Sequence, residues 1–415
     1  MDNRFAKMFN MTEDDAIALL KMPLEELQDK SERYVAASHL SNYDTQRSIN
    51  ALIETIQDDN PDMYHRIARR KAIESLGRLK AKVALPIIAD CLQDSSDPYT
   101  IENAVWAIKD IGTNDETIFA QITDLLDRDN QSYRLIIQVL AQFNYKSALP
   151  KIRSFLDSSD ETIVSAAIAA IAKLTGDYSQ MSQVIEFLHH SSVNARRLSI
   201  QDLIDTNYYD AIPHIAKTPV SLAFRLRGVR LLAQKGIKHN EITFNKVHPY
   251  LKQIICDRPQ DLEMVHEYDL QPTLEFLIRE LYQTDFGRCY LASQTLLQEY
   301  PQAAPEAIMA TYKEEAYRDY GAHYHVIKLL GWLKYEPGKA IVIKNLNHPQ
   351  PQFQKSRAAS AIALGNFGDT DAIPQLRETA KTSIFDLKYA SLIALKQLGD
   401  DVSDDLIAEE MELLL

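Results

Sequence analysis

The chain has 415 residues, 46% of them hydrophobic and 25% charged, the balance of an ordinary soluble protein with ample material for a large buried core. Only 12 glycines and few alternating β-branched runs argue against a β-rich fold. A formal net charge of −13 argues against a general nucleic-acid binder, because phosphate contact needs a net basic face, but leaves room for a local basic groove.

Residues 1–45 read as a helical N-terminal cap. Met1-Asp-Asn-Arg-Phe5 carries early acid and no apolar run, so no signal peptide is expected. No stretch approaches the ~20 apolar residues of a membrane helix, and a cytoplasmic protein without membrane insertion is the expectation. Thr12-Glu-Asp-Asp15 caps Ala16-Ile-Ala-Leu-Leu20, and Pro23-Leu-Glu-Glu-Leu27 opens a second short helix. Residues 33–40 read as the inner helix of a first, degenerate repeat.

Residues 46–236 repeat one pattern. Basic residues at 66–71 open a short helix, an apolar stripe ends at Leu76-Gly77, and after a polar turn Ala84-Leu85-Pro86 begins another helix. Gly suits a helix end because it accepts a left-handed backbone, and Pro suits the first turn of the next, where its missing N–H costs nothing. Ala148-Leu149-Pro150, Ala211-Ile212-Pro213 and Ala372-Ile373-Pro374 repeat the opening. In each copy the Pro lies nine positions after a small or apolar slot (86−77, 150−141, 213−204, 374−365). With Gly112, Ala172, Ala233, Gly331 and Lys396 as further slots the period is ~30, and two helices per period without strand signals make an all-α, HEAT-like solenoid, an α/α superhelix. Residues 237–310, with Pro249, Pro259, Pro272, Pro301 and Pro305, read as irregular helical repeats with long loops, 257–272 being loop or broken helix. Residues 311–400 restore the HEAT-like pattern, and 401–415 form an acidic, Leu-ended tail that caps the array.

Seven and eight positions before each slot stands a ladder of polar side chains: Arg69 and Arg70, Tyr133 and Arg134, Arg196 and Arg197, Arg225, His323 and Tyr324, Arg357, Lys388 and Tyr389. Glu102, Asn103 and Trp106 fill the nearby places in the second repeat. Second helices of such arrays line the surface where partners bind. A row of Arg, Tyr and His there suits an anionic, flat ligand, since Arg captures carboxylates with two hydrogen bonds and aromatic rings offer flat faces. The competing role for any one Arg is to staple the stack by pairing with an acid of the next repeat. Trp106 equally suits a buried place in the repeat core.

The three cysteines, Cys91, Cys256 and Cys289, are far apart, make no metal spacing and read as reduced thiols. Asp285, Arg288 and Cys289 gather a carboxylate, a cation and a thiol, although a free Cys on a helix is more often a small buried hydrophobe. His323 and His325, two positions apart, face different sides of a helix, so no metal site is expected, and a tyrosine or histidine acid near a ligand fits better.

Arg69-Arg-Lys-Ala, Glu102-Asn-Ala-Val-Trp-Ala-Ile108, Ala195-Arg-Arg-Leu-Ser-Ile-Gln-Asp-Leu203, Phe224-Arg-Leu-Arg-Gly-Val-Arg-Leu-Leu-Ala233 and Thr284-Asp-Phe-Gly-Arg-Cys-Tyr-Leu-Ala292 resemble the E/F-type phycobilin lyases of cyanobacteria, over essentially the whole chain. The resemblance is closest to the single-chain branch that attaches phycoerythrobilin to the phycoerythrin α subunit. It implies a HEAT-repeat lyase that binds a linear tetrapyrrole as substrate, needs no other cofactor, and delivers it by a thioether bond to a cysteine of that subunit, with or without a helper subunit. The nucleophile is then the thiol of the acceptor, adding to the ethylidene of ring A.

Ladder and resemblance together nominate Glu102, Asp285, Tyr320 and His323 for proton handling and Arg134, Arg197, Arg225 and Arg227 for the two propionates, with Trp106 and Tyr324 beside the rings. Alternatives are a lyase-isomerase that also converts phycoerythrobilin to phycourobilin, and a non-catalytic HEAT-repeat bilin chaperone or adaptor. The Asn-His-Cys-Tyr motif of a related isomerising subunit is absent, with only partial echoes at Arg288-Cys-Tyr290 and Ala322-His-Tyr-His325.

Overall fold

A computed structural model describes residues 11–94 and 96–415. Among them the secondary structure is helical, without a strand, and no helix is long and apolar enough to cross a membrane. Met1-Asp-Asn-Arg-Phe5 and the rest of residues 1–10 of the expected cap lie outside the described residues. The chain forms two compact units, 1–178 and 179–415, dividing within the expected 46–236 run.

In the first unit, inner helices α1 (Glu32–His39), α2 (Met63–Arg78), α3 (Pro98–Ile111), α4 (Tyr133–Gln142) and α5 (Glu161–Thr175) pack each on the next. Their buried faces, including Ile73, Leu76, Ile108, Leu140 and Ile171, share one core. Thr12 and Asp15 form a reciprocal capping box at the start of the Glu13–Lys21 helix. Residues 23–27, expected as a helix, make only a turn.

The second unit contains α6 (Val193–Asp205), α7 (Leu222–Lys238), α8 (Phe286–Glu299), α9 (Tyr320–Trp332), α10 (Gln354–Phe367) and α11 (Phe385–Gln397). α6 packs on α7, and α8 to α11 pack in sequence. The unit also curls back on itself. Arg230 of α7 lies 4.0 Å over the Phe385 ring of α11, and Tyr389 stacks on His248 of the Phe244–Cys256 helix at 5.7 Å. Of the expected 257–272 loop, only Pro259–Asp261 forms a 3-10 turn. The acidic tail is a helix, Asp404–Leu414, packed on α11 and on the Phe244–Cys256 helix, with Glu410 paired to Lys388 at 2.6 Å.

The repeat has a different local cause from the one expected. Pro86, Pro150, Pro213 and Pro374 do stand in the first turn of their helices. The slot glycines, however, do not end helices by left-handed geometry, Gly112 excepted. Gly77, Gly331 and Gly365 are interior to α2, α9 and α10, where neighbouring helices touch. A Cβ on Gly77 would meet the Ala107 Cα at 2.8 Å, and one on Gly331 the Ala363 Cα at 2.7 Å. The left-handed residues come three positions later: Lys80, Asn144, Asn207, Lys334, Gly368 and Gly399 (80−77, 144−141, 207−204, 334−331, 368−365, 399−396). The slot thus marks the closest helix approach, and the turn follows it.

α7, α8 and α9 are joined by one buried carboxylate. Asp257 follows the Phe244–Cys256 helix in a left-handed conformation (φ 46°), which Asp tolerates better than most side chains. One oxygen accepts from Arg225 of α7; the other accepts from Tyr290 of α8 (2.9 Å) and from Tyr324 and Lys328 of α9. Arg225 also donates to the Val220 and Ala216 carbonyls, both at 3.2 Å. All five side chains are buried. Burial would raise the Asp257 carboxyl, but Lys328 and Arg225 outweigh it and hold it down at about 2.

Two outcomes follow from this geometry. Gly331→Ala forces α9 away from α10 and lowers unfolding stability by about 1–3 kcal/mol, the usual cost of overpacking; an unchanged thermal midpoint would refute the tight approach. Asp257→Asn leaves two buried cations uncompensated and costs about 3–5 kcal/mol. Because the folded carboxyl lies below its ordinary 3.8, the unfolded chain binds more protons between pH ~4 and ~2, and the Asp257 contribution is full above that window and lost as pH falls through it. The stability gap between wild type and Asp257→Asn should therefore narrow from pH 4 toward pH 2 in thermal unfolding. A gap independent of pH there would sink the ionic account.

Candidate functional site

The N-terminal ends of the second unit's inner helices converge on a groove of about 1050 Å³, at the upper end of the ~300–1000 Å³ usual for small-molecule clefts. α6 contributes Arg197, and α7 contributes Phe224, Arg227 and Arg230. Tyr282 and Thr284 precede α8, which adds Phe286; Asp319 and Tyr320 open α9, Lys355 lies on α10, and Phe385 and Asp386 open α11. Four cations and five aromatic rings thus line one space, Phe224 and Tyr320 exposed, Tyr282 half-buried and Phe286 and Phe385 buried, together with the positive dipole ends of the helices.

The cations differ in their existing partners. Arg197 lies 5.1 Å over the Phe224 ring and donates to the Thr284 carbonyl at 2.7 Å. Arg227 donates to Gln201 at 2.7 Å. Arg230 covers Phe385 and reaches the Leu414 carbonyl at 3.5 Å. The Nε atoms of Arg197 and Arg230 are buried and have no hydrogen-bond partner among the described residues. Lys355 sits 4.4 Å from the Phe286 ring centre and 4.8 Å from that of Tyr320. Burial brings its ammonium down to about 8, with Cys289, Asp319 and Asp257 only partly opposing. The two carboxylates are occupied: Asp319 caps α9 through Gly321 and Ala322, and Asp386, raised by burial, accepts from Gln354 at 3.1 Å.

The nominated residues fall into three sets. Arg197, Arg227 and Tyr320, the last 59% exposed, line the groove. Glu102, Trp106 and Arg134 belong to the first unit. There Glu102 accepts from Ser132 at 2.9 Å, Trp106 is 42% exposed with Lys109 4.0 Å over its ring, and Arg134 donates to the Thr162 carbonyl. The third set is turned inward.

Expected at a ligand, Arg225 and Tyr324 are instead buried against Asp257, because a desolvated guanidinium and phenol need a fixed partner more than a solvent-facing one does. Asp285 caps α8 through Gly287 and is clamped by Arg196 and by His266 at 2.8 Å. Burial would raise its carboxyl, but the Arg196 and His266 contacts hold it low, so it carries no proton to give. His323 is buried against Phe353 (4.6 Å) and Tyr312 (5.6 Å). Burial, with His348 and Lys355 adding, takes it down to about 4, a neutral imidazole off the groove wall.

Sequence reasoning passed over Lys355, Arg230, Phe286 and Phe385. For part of the set the sequence carries a signal one helical turn before the polar ladder. Tyr320, Lys355 and Phe385 stand ten or eleven positions before their slots (331−320, 365−355, 396−385), whereas Arg197 lines the groove from seven positions before its own (204−197). Seven or eight positions before the slot, side chains largely staple the stack: Arg70 to Asp97 (2.7 Å), Arg196 to Asp285, Arg225 to Asp257 and Arg357 to the Leu346 carbonyl (3.0 Å).

None of the three thiols is poised as a nucleophile. Burial pushes Cys289 up to about 12 and also raises Cys91 and Cys256, whereas a reactive cysteine needs its thiolate.

Comparison with known proteins gives matches to the family described as HEAT repeats over residues 19–109 and to the PBS lyase HEAT-like repeat over 356–382. The chain is 52% identical over its full length to the uncharacterized phycocyanin operon protein Y of Pseudanabaena tenuis (strain PCC 7409), covering 99% of that protein. It is 32% identical to the bilin biosynthesis protein CpeY of Synechococcus sp. (strain WH8020), over 90% of this chain and 91% of that one. A solved structure of the CpcE–CpcF complex of phycocyanin lyase from Nostoc sp. PCC7120 aligns with a TM-score of 0.49 at 25% identity, covering 59% of this chain and 93% of the other. The chain belongs to the E/F-type phycobilin lyase family.

Proposed function

We propose that this chain is a bilin lyase that holds a linear tetrapyrrole in the second unit's groove and delivers it to a cysteine of another protein. The finer assignment is phycoerythrobilin, joined by a thioether to the α subunit of phycoerythrin. One observation carries the reading: Arg197, Arg227, Arg230 and Lys355 share a single groove with Phe224, Phe286, Tyr320 and Phe385. A bilin offers two propionates to the cations and an extended conjugated plane to the rings. The relative named a bilin biosynthesis protein supports the same substrate class.

The chemistry is an addition of S–H across the ethylidene of ring A. The chain's thiols, all raised by burial and kept protonated, do not compete with the acceptor cysteine, so the pigment leaves on its target. The groove contributes orientation, worth several kcal/mol when reacting atoms are held in line, and a proton-carrying group. The bilin is substrate, and no cofactor enters the proposal. A second reading, lyase-isomerase, is favoured by Tyr320 lying beside Lys355, because moving a double bond needs one group to take a proton and another to return it.

Co-expression with a phycoerythrobilin pathway and a tagged phycoerythrin α subunit tests these assignments by absorbance of the denatured subunit. A covalent band at the phycoerythrobilin colour is expected from a lyase, and a blue-shifted phycourobilin band from a lyase-isomerase. If pigment appears only when a further protein is added, a helper subunit is required; bilin held by the purified chain without transfer would mark a chaperone. Reversing charge at Arg197 and Arg230 together should weaken bilin binding to the purified chain roughly 10- to 150-fold, from the ~1.5–3 kcal/mol of a charged hydrogen bond. Undiminished binding, with the fold intact by circular dichroism, would remove the groove from consideration.

A further inference from the structure

The four groove cations are not equivalent. Arg197, Arg227 and Arg230 each donate to a carbonyl or amide oxygen. Lys355 forms no hydrogen bond and no ion pair among the described residues, and its ammonium is surrounded by the rings of Phe286, Tyr320 and Tyr324 at 4.4, 4.8 and 5.2 Å. Lysine on a helix normally extends into water, where its charge is fully solvated. Here it is drawn back against aromatic faces in the wall of a ligand-sized groove.

Building on the lyase reading, we propose that Lys355 is a catalytic residue, the group that carries the proton in the attachment step. The neutral amine accepts the proton of the acceptor cysteine as the S–H bond breaks. The sulfur electron pair forms the C–S bond to the ethylidene carbon, and the π pair of that double bond moves to the adjoining ring carbon. That carbon takes a proton from the ammonium just formed, which restores the amine. One S–H is added across one C=C, and neither oxidant nor reductant is consumed.

The surroundings suit this role. The titratable groups bearing on Lys355 are Asp319, Tyr320, His323, Tyr324 and His325 from the start of α9, Cys289 of α8, Asp257, and Asp386 of α11, which holds the adjacent Gln354. None of the carboxylates forms an ion pair with the ammonium, and both histidines are held neutral by burial. With the amine brought down to about 8, an appreciable neutral fraction exists near pH 7, and its protonated form is still a competent acid. Of the nominated proton handlers of the second unit, Asp285 is tied to Arg196 and His266 and His323 is off the groove wall, while Tyr320 lines the groove beside Lys355.

The test measures attachment to the acceptor subunit and, separately, bilin binding by the purified lyase. Lys355→Arg keeps the positive charge but does not release a proton, so binding should stay within about threefold while attachment falls at least ~100-fold. Lys355→Met, slimmer than Arg, should also lose attachment and serves if the Arg variant misfolds. The wild-type rate should bend near pH 8 after division by the acceptor thiol's own reactivity with an alkylating reagent over the same pH range. Full attachment by Lys355→Arg would overturn the proposal and leave Lys355 as a propionate anchor; a wild-type profile without the bend would overturn it whatever the variants do. Absence of attachment by the wild type, alone or with a helper subunit, would instead remove the lyase reading itself.

Discussion

The second unit depends on one carboxylate. Asp257 accepts from Arg225, Tyr290, Tyr324 and Lys328, so a single residue at the end of an outer helix ties together three inner helices that are far apart in sequence. Two cations and one anion in a buried space would be a poor arrangement if the charges were left bare, since desolvating each ion costs several kcal/mol. The two phenols and the backbone carbonyls of Ala216, Val220 and Asp257 supply the remaining hydrogen bonds, making the cluster a directed joint. Its consequence lies at the helix starts. With α7, α8 and α9 fixed at the joint, Phe224, Arg227, Phe286 and Tyr320 are carried to one groove on rigid elements.

The fold was legible in the sequence because its cause recurs. Where two helices touch most closely the slot takes a small residue, as at Gly77, Gly331 and Gly365, and a left-handed turn follows three positions later, so slot and turn recur with the repeat even though the role of these glycines is contact and not capping. The ladder of charges was legible too, but its meaning was displaced by one turn. Of the side chains seven or eight positions before the slot, Arg69, Arg70, Arg196 and Arg225 lie within the stack and find carboxylates, while Arg197 reaches the groove. A side chain ten or eleven positions before the slot stands at the helix start and reaches past the stack. Composition favours Arg as the carboxylate binder, and it drew attention to Arg357 while Lys355 stood two residues away.

Asp257 was hidden for another reason. It sits at the head of a stretch that has no periodicity, and nothing local announces that its partners lie 32 to 71 residues further along or back in the chain. Long-range pairing of this kind is settled by burial, and burial is a property of the packed unit. The same holds for Cys289, whose neighbours Asp285 and Arg288 suggest an activated thiol in the sequence. In the fold its sulfur is enclosed, and burial alone is enough to keep it protonated.

The distribution of charge also bears on how a groove can both hold and release a pigment. Arginine pairs open to water contribute only ~0–1 kcal/mol each, so Arg227, exposed and already bonded to Gln201, orients a carboxylate more than it retains it. Under the proposed reading, retention falls to the free ring area of Phe224 and Tyr320, which is non-directional and is given up when the pigment finds a comparable surface on its acceptor. Binding ground state and transition state equally tightly would not speed the transfer. Under the proposed reading, what speeds it is fixed orientation together with one group whose proton is mobile, and Lys355, enclosed by aromatic faces, is the cation of the groove that forms no hydrogen bond or ion pair among the described residues.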